Sequence, residues 1–356
     1  MARDLFMALT PKQRVELLTE AGARRGLHPV LIEKDYWVVW LLALLFDPER
    51  PMGSIIFKGG TSLSKAYELI ERFSEDIDLA FDKRQFGFEG DRDPEEVSKK
   101  KAASLIDDLG QAVADHVGGP FRLDLISRIA QAIGDEGWSL DIDDKDPSTL
   151  LFAYPQALGG TLYNQATYIK AAVRLEIGAR SDPWPAETRT VQSYAAEEFP
   201  AQLGEAPARV NVLSPERTFW EKATILHAEA HRDGHGADRA SRHYYDLVQI
   251  ARSTHGPTAL ADTGLRDRVV AHKSLFFRSG WARYDLAKPP TFVLVPNEAR
   301  LKALAADYRG MRSMFFEEPP PFDNLVAELR ALQEQINAAA TQPATDAAAA
   351  ETHSAS

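Results

Sequence analysis

The sequence predicts a mixed α/β (α+β) fold, with a sheet-containing N-terminal domain over residues 1–205 and a mainly helical C-terminal domain over residues 206–336. Two observations favour this division. Short β-prone runs alternate with helical patterns in the first half, whereas helical patterns alone follow in the second. Several prolines between residues 183 and 207 separate the two halves. We therefore expect a short mixed sheet in the N-terminal domain.

Two helices are predicted near the start of the chain. The segment from Thr10 to Gln13 has the pattern of an N-terminal cap, with proline at the first helical position, and it predicts a helix over residues 11–23. A second helix is predicted from residue 28, because apolar residues recur at helical spacing as far as Leu44. The charged start of this helix, Glu33–Asp35, is expected to face something specific.

A strand, a glycine turn and a helix are predicted next. Residues 55–57 are apolar and β-prone, and they end at Gly59 and Gly60, after which a helix is expected to about Glu71. A second strand is predicted over residues 77–81. Its alternation places two aspartates on one face and apolar residues on the other.

The remaining elements follow from periodicity. A helix is expected over residues 95–116, ended by Gly118-Gly119-Pro120, and a strand is expected over residues 168–177, where apolar and polar residues alternate. Further helices are expected at residues 214–231, 241–252, 301–307 and 324–336. Residues 337–356 are dominated by alanine and small polar residues, which predicts a disordered tail.

Composition excludes several classes of protein. The chain of 356 residues has no cysteine, which excludes disulfides, cysteine-ligated zinc, iron–sulfur clusters and thiol catalysis. Its formal net charge of −11 has the wrong sign for a protein that coats nucleic acid non-specifically. The most apolar run, residues 37–46, is about half as long as a bilayer crossing requires, and no signal peptide is recognised. We therefore expect a cytoplasmic protein without a membrane segment, and a monomer.

The clearest chemical signal combines the glycine turn with the paired aspartates. A glycine turn that leads into a helix presents backbone N–H groups that suit a phosphate. Asp76 and Asp78 lie two residues apart on a strand, with Cα atoms roughly 6.5 Å apart, and can share divalent cations that bridge to substrate phosphates. Each motif alone is more often a simple turn or a solvated strand end. Their combination in this order favours function.

These strings carry a family resemblance. The string from Phe57 to Tyr67, followed by the string from Arg72 to Leu79, resembles the AbiEii family of nucleotidyltransferase toxins, within the DNA polymerase β-like nucleotidyltransferase superfamily. The similarity continues at residues 33–36, 217–223, 242–247 and 307–316. It implies a nucleotidyltransferase fold and metal-dependent transfer of a nucleoside monophosphate from an NTP, a reaction of the EC 2.7.7 type. In this family the acceptor can be the 3′ end of tRNA, and the toxin is encoded beside an AbiEi-type antitoxin.

The resemblance also implies roles for particular residues. The residues expected to bind the nucleotide belong to the glycine turn and the helix after it: Lys58, Gly59, Gly60, Thr61, Ser62 and Lys65. Asp76 and Asp78 would hold Mg²⁺ or Mn²⁺. Lys222 and Asp246 match the family's later lysine and aspartate motifs, and we expect both to be catalytic.

Three catalytic candidates have ordinary structural alternatives. Glu176, on the polar face of its predicted strand, could complete a carboxylate set or pair with Arg174 or another basic residue of that strand. Lys222 lies beside the apolar stripe of its helix and could neutralise the triphosphate or extend to solvent. Asp246 lies four residues after Arg242 and could form an ordinary helical ion pair.

Two further patterns each have a functional and a structural interpretation. His227, His231 and His235 suggest zinc, but structural zinc takes four ligands, so solvated histidines are favoured. The segment from Arg266 to Tyr284 interleaves basic and aromatic residues, which could hold phosphates and stack an unpaired RNA end, or could form an amphipathic core segment. The RNA-binding candidates in it are Arg266, Arg268, Lys273, Arg278, Trp281 and Arg283.

The sequence thus predicts a nucleotidyltransferase that modifies RNA, with tRNA as the expected acceptor, acting as the toxin of a toxin–antitoxin pair. Three alternatives stay open. The same chemistry could act on a protein or small molecule, which a neutral surface at residues 266–284 would favour. The chain could be a catalytically silent nucleotide-binding module, which the intact Gly60, Asp76 and Asp78 disfavour. An Asp-x-Asp glycosyltransferase is weakly supported.

Overall fold

The computed structural model describes residues 5–165, 169–204, 207–232 and 239–338. The chain divides into two compact units. The first comprises Met1–Thr218 and Met311–Pro319, and the second comprises Phe219–Gly310 and Pro320–Ser356.

The first unit is built on a mixed sheet. Its strands are β1 (Ile55–Lys58), β2 (Asp76–Phe81), β3 (Ser139–Asp143), β4 (Asp146–Ala153), β5 (Val173–Gly178), β6 (Ala186–Val191) and β7 (Ala208–Leu213). The strand order is β3-β4-β5-β2-β1-β7-β6. The β2/β5 and β1/β7 pairs are parallel, and the other neighbours are antiparallel. The predicted mixed α/β class is therefore confirmed.

Three of these strands were predicted and four were missed. β1 and β2 are where the sequence placed them, but β5 begins at Val173, so the prediction that this strand starts earlier is wrong. Tyr168, its predicted first residue, lies outside the described residues. β3, β4 and β6 escaped prediction because they carry acidic residues, serine or threonine, which resemble loop composition. β7 alternates buried and exposed residues, so its local pattern was present but was not recognised.

The helices of the first unit are α1 (Leu5–Ala8), α2 (Pro11–Arg25), α3 (Pro29–Leu45), α4 (Gly59–Lys65), α5 (Lys99–His116), α6 (Arg122–Ile133), α7 (Gly160–Gln165), α8 (Tyr194–Glu198) and α9 (Pro200–Leu203). The capping box of α2 is present, since Thr10 and Gln13 exchange side-chain and backbone hydrogen bonds. Almost every side chain of α3 is buried, including its charged start. This helix is the centre of the unit's core.

Three predicted helix boundaries were wrong. α4 ends at Lys65 rather than near Glu71, so it has fewer than two turns. α5 begins at Lys99 rather than at Glu95, with Ser98 at the N-cap position. Gly118-Gly119-Pro120 does not stop the chain's helical course. A π-helical turn kinked at Gly119 leads directly into α6.

Among its described residues, the second unit is helical and irregular, without strands. A helix begun in the first unit continues into it, and others follow: α10 (Pro215–Ala230), α11 (Ser241–Arg252), α12 (His255–Ala261), α13 (Thr263–Phe276), α14 (Glu298–Gly310) and α15 (Phe322–Ala338). α15 includes Asn337, which composition assigned to the tail. The Asn337 side chain bonds both the backbone N–H and the carbonyl of Phe292. The rest of the predicted tail, residues 339–356, lies outside the described residues.

Within the described parts of the chain, every helix is too short or too polar to cross a membrane.

Candidate active site

The glycine turn after β1 lies directly against β2. Gly59 has a φ of +81°, a conformation that side chains rarely adopt. A Cβ atom added at Gly59 would lie 1.9 Å from Asp78 Oδ2, and one added at Gly60 would lie 2.7 Å from Ser74 Oγ and 2.8 Å from Arg72 Nη2. Glycine is therefore required at Gly59, whereas a side chain at Gly60 would displace the Ser74 hydroxyl and the Arg72 guanidinium.

The two hydroxyl residues after the glycines stabilise this turn. The buried Thr61 hydroxyl donates to the carbonyl of Asp76 at 2.5 Å and lies 3.0 Å from Ser74 Oγ. The buried Ser62 hydroxyl donates to the Gly59 carbonyl at 2.9 Å. Both hydroxyls are engaged within the protein, so the structure favours a role in shaping the turn over direct contact with a nucleotide.

Sheet register brings three predicted site residues into one row. Lys58 is the partner of Asp78 across the antiparallel β1/β2 pair, and Glu176 is the partner of Asp78 across the parallel β2/β5 pair. Directly paired residues project from the same face of a sheet, so these side chains share a face with Asp76, two residues away. The other face of β2 and β5 is core, with Ile77 fully buried.

This row concentrates negative charge around Asp76. Burial, together with the charges of Glu75, Glu176 and Asp78, raises the pKa of Asp76 to about 6, and nearby Lys34 opposes the shift. A carboxyl group whose pKa is raised by like charges gains from a bound cation, because a cation relieves their repulsion. The aspartate strand therefore has the electrostatics of a divalent cation site.

Glu176 lies next to Asp78 in the sheet and is paired with a basic residue of its own strand. Its Oε1 accepts a hydrogen bond from Arg174 Nε at 2.8 Å. Arg174 donates in addition to Asp143 Oδ2 at 2.5 Å. Because Glu176 is paired with Arg174, it is a weaker candidate for a metal ligand than the two aspartates.

The donor set suits a hard cation that substrate phosphates help to hold. Among the residues that the structure describes, no three His, Cys, Asp or Glu side chains lie close enough to bind a metal by themselves. Magnesium is commonly held by one or two carboxylates, with water and phosphate oxygens completing its shell. Asp76 and Asp78 supply such a pair, and their oxygen chemistry fits Mg²⁺ or Mn²⁺.

The two lysines predicted to bind nucleotide have different surroundings. Lys58 is half-buried, and within the described part of the chain its ammonium group makes no hydrogen bond or ion pair. Lys65 is buried, and its Nζ lies 2.8 Å from Asp35 Oδ1 and 3.4 Å from the centroid of the Tyr194 ring. Lys58 thus remains a candidate for the triphosphate, whereas the enclosed Lys65 ammonium favours a structural role.

Lys222 and Asp246 meet inside the second unit. Lys222 Nζ donates to Asp246 Oδ2 at 2.7 Å and lies 3.5 Å from His243 Nδ1. The Lys222 and Asp246 side chains are 8% and 0% exposed, so the lysine does not extend to solvent. Asp246 pairs with Lys222 rather than with Arg242. The two residues that match the family's later motifs form one buried ion pair.

His227 of α10, one of the histidines that suggest zinc, is held by backbone groups. The sequence predicts solvated histidines here, but His227 is fully buried. Its Nδ1 accepts from the Val293 N–H at 3.1 Å, and its Nε2 donates to the Arg283 carbonyl at 3.0 Å, which occupies both ring nitrogens. Burial lowers the pKa of His227 to about 4. His235 lies outside the described residues.

The basic and aromatic segment is partly a surface and partly core. Phe276 is buried, whereas Phe277 and Trp281 are 39% and 41% exposed. Lys273 lies over the Phe277 ring, and Arg232, which the sequence did not single out, lies over the Trp281 ring. The structure therefore supports an exposed aromatic–cation surface, which we define as Phe277, Trp281 and the cations beside them.

Two other RNA-binding candidates of this segment are paired with acidic neighbours. Arg266 pairs with Asp267 at 2.8 Å, and Arg283 pairs with Asp285 at 3.1 Å. Arg268 and Arg278 are exposed.

Several residues that contact the candidate site residues could not be identified from the sequence. Arg72 and Ser74 contact the glycine turn, and Lys34 and Glu75 form an ion pair beside Asp76. The expectation that Glu33–Asp35 faces something specific was the available signal. Its partners could not be named, because they lie far away in the sequence.

This arrangement, a glycine turn packed against paired aspartates of a mixed sheet, is that of a nucleotidyltransferase. The family profile described as "Nucleotidyl transferase AbiEii toxin, Type IV TA system" matches residues 43–328, and the chain belongs to this family. A solved structure with 16% sequence identity, MenT4, the nucleotidyltransferase toxin Rv2826c from Mycobacterium tuberculosis H37Rv, aligns over 93% of this chain and 99% of its own with a TM-score of 0.43. No curated protein sequence matches.

Proposed function

We propose that this protein transfers a nucleoside monophosphate from an NTP to RNA, with the 3′ acceptor end of tRNA as its acceptor, in a reaction that requires Mg²⁺ or Mn²⁺. Membership of a type IV toxin family supports a role as the toxin of a pair, with an AbiEi-type antitoxin. The observation that carries the chemistry is the row of Lys58, Asp78 and Glu176 beside Asp76 and the glycine turn.

Each part of this row has a defined task. Asp76 and Asp78 would hold the metal, which when bound lowers the pKa of the attacking hydroxyl and stabilises the leaving pyrophosphate. The Gly59-Gly60 turn lets the triphosphate approach the backbone closely, and Lys58 supplies a positive charge next to it. Glu176 orients Arg174 and contributes negative charge. For Lys222 and Asp246, catalysis remains a proposal that rests on the family motifs.

A second acceptor class has a specific observation in its favour. The pairing of Arg266 and Arg283 with nearby aspartates makes the segment from residue 266 to residue 284 less positive than its sequence suggests. Weak positive charge would suit a protein or small-molecule acceptor better than RNA. The exposed aromatic rings still favour RNA, since unpaired bases stack on such rings.

The test supplies purified protein with Mg²⁺, total tRNA and each labelled NTP in turn. We expect label on tRNA that is lost with EDTA and is lost in Asp78→Asn. Asp91→Asn, which changes an exposed carboxylate elsewhere in the first unit, is the matched control and should retain activity. Label on protein alone would support the second acceptor class. No label with any NTP and any acceptor would contradict the transferase proposal.

A further inference from the structure

The start of α3 carries three consecutive charged residues that are almost inaccessible. Glu33, Lys34 and Asp35 are 0%, 2% and 3% exposed. Successive residues of an α-helix point about 100° apart, so three neighbours reach three different parts of the fold. Glu33 binds the Ala157 N–H and the Tyr163 hydroxyl. The other two side chains reach the candidate active site.

Lys34 connects the two strands that carry the acidic residues. Its Nζ donates to Glu75 Oε2 at 2.5 Å and to the carbonyl of Lys170 at 3.1 Å. Glu75 immediately precedes β2, and Lys170 lies just before β5. One ammonium group therefore ties the starts of the neighbouring strands whose register places Asp78 beside Glu176.

Asp35 pairs with the C-terminal residue of α4, the helix that begins at the glycine turn. Its Oδ1 lies 2.8 Å from the Nζ of Lys65, the last residue of α4, and its Oδ2 accepts from the Tyr194 N–H at 2.6 Å. The Lys65 and Asp35 side chains are only 5% and 3% exposed, and the Tyr194 ring covers the ammonium. The first residue of α4 is Gly59, so Asp35 anchors the element that packs on Asp78.

Stability alone does not account for this burial. Replacing a buried ion pair by well-packed apolar residues is often neutral or stabilising, because two charges lose their hydration. The rest of α3 is apolar, and apolar residues at these positions would continue its pattern. What ion pairs supply beyond apolar contacts is a fixed partner and a fixed geometry.

We propose that Lys34 and Asp35 are positioning residues. They hold the aspartate strand and the glycine-turn helix so that Gly59 packs against Asp78, and Lys65 acts through Asp35 rather than by contacting the triphosphate. This inference rests on the proposed transferase function. It assigns a role in assembling the site to two buried charges at the start of α3.

A double-mutant cycle on Asp35→Asn and Lys65→Met tests the assignment of Lys65. If Lys65 acts through Asp35, each single variant lowers kcat by about 10- to 100-fold. The kcat of the double variant is then no lower than that of the less active single variant. If Lys65 instead contacts the triphosphate, Lys65→Met raises the KM for NTP by about tenfold in both backgrounds. That second result would overturn the proposal.

Amide hydrogen exchange supplies a readout that needs no activity. In the nucleotide-free protein we expect faster exchange over residues 59–65 in Asp35→Asn, and over residues 76–81 in Glu75→Gln. Glu75 is the milder site to change, since its side chain is 19% exposed. Unchanged exchange in both variants would overturn the proposal.

Arg128→Met is the matched control. Arg128 is a buried cation of the same unit, but it bonds Asp124 and the Leu44 carbonyl rather than the site. We expect Arg128→Met to change the unfolding temperature without changing amide exchange over residues 59–65. If Arg128→Met speeds exchange there as much as Asp35→Asn does, the effect is a general loss of stability, and the proposal is contradicted. If the wild-type protein transfers no nucleotide, the proposed function fails, and the exchange experiment still decides the positioning role.

Discussion

Gly59 and Asp78 are in such close contact that a Cβ atom on Gly59 would lie 1.9 Å from the Asp78 Oδ2 oxygen. The glycine turn and the aspartate strand, which the sequence presents as two separate motifs, are therefore one packed structure. A side chain at Gly59 must move either the turn or the carboxylate. The contact explains why these two motifs belong together.

The first prediction follows from that contact. Gly59→Ala should reduce nucleotidyl transfer by about 100-fold or more, because displacement of a catalytic group by about 1 Å has effects of this size. Initial rates with saturating NTP and unfolding temperature are measured together. Gly26→Ala is the control, since Gly26 also has positive φ, +67°, but nothing lies within 4 Å of its added Cβ. Equal activity of both variants would contradict the prediction.

The second prediction concerns the buried Lys222–Asp246 pair. Lys222→Met leaves the Asp246 carboxylate without this partner, and such changes cost about 3–5 kcal/mol in the free energy of unfolding. Lys222→Met combined with Asp246→Leu should recover most of that stability, because both charges are gone. Chemical denaturation measures this directly.

The same double variant separates structure from catalysis. If the family motif marks catalytic residues, the stable double variant transfers no nucleotide. If it retains wild-type rates, the pair is structural, and Lys222 and Asp246 leave the catalytic set.

The third prediction is a pH dependence of stability that originates at His227. Its pKa is lowered to about 4 in the folded protein, so the unfolded chain binds a proton more readily. Stability is complete above about pH 6.5 and declines as the pH falls toward 4, by about 3 kcal/mol in total from this residue.

His227→Gln isolates that contribution. Glutamine cannot titrate here and can offer both a donor and an acceptor, although at a different spacing. We expect the free energy of unfolding of the variant to decline less between pH 7 and pH 5 than that of the wild type. Parallel pH profiles would show that His227 does not contribute.

The fourth prediction concerns the aromatic–cation surface. Trp281→Ala should weaken tRNA binding by about 5- to 100-fold, because stacking contributes about 1–3 kcal/mol per base. The KM for NTP should not change. Binding is measured by titration of labelled tRNA at two salt concentrations. Leu123→Ala, which removes an exposed apolar side chain from the first unit, is the control. An unchanged tRNA affinity would favour the protein or small-molecule acceptor.

Local sequence signals were sufficient for the elements with strong caps or clean periodicity. The capping box of Thr10 and Gln13 predicts α2, and the alternation around Ile77 predicts β2. β3 and β7 were missed for different reasons. β3 pairs with β4, which follows it directly in the chain, but its polar residues resemble loop composition. β7 alternates buried and exposed residues, but its pairing with β1 joins segments far apart in the chain.

The same limit applies to the candidate site. Gly59, Gly60, Asp76 and Asp78 were recognised as motifs, and their chemistry follows from residue type and spacing. The sequence could not show that Glu176 neighbours Asp78, because that neighbourhood depends on the parallel pairing of β2 with β5. It also misjudged His227, which lies on a helix but is enclosed by backbone groups of residues 283 and 293.

By itself, the sequence determined the family, the mixed α/β class, and the motifs that mark the candidate site residues, because motifs and periodicity are local properties of a chain. The tertiary structure alone decided which of the candidate residues face a common site and which are buried and paired within the protein. Lys58 and Lys65 look equivalent in the sequence, yet Lys65 is paired with Asp35 inside the core. Burial and pairing depend on contacts between distant segments, so the roles of charged side chains emerge only when the fold brings those segments together.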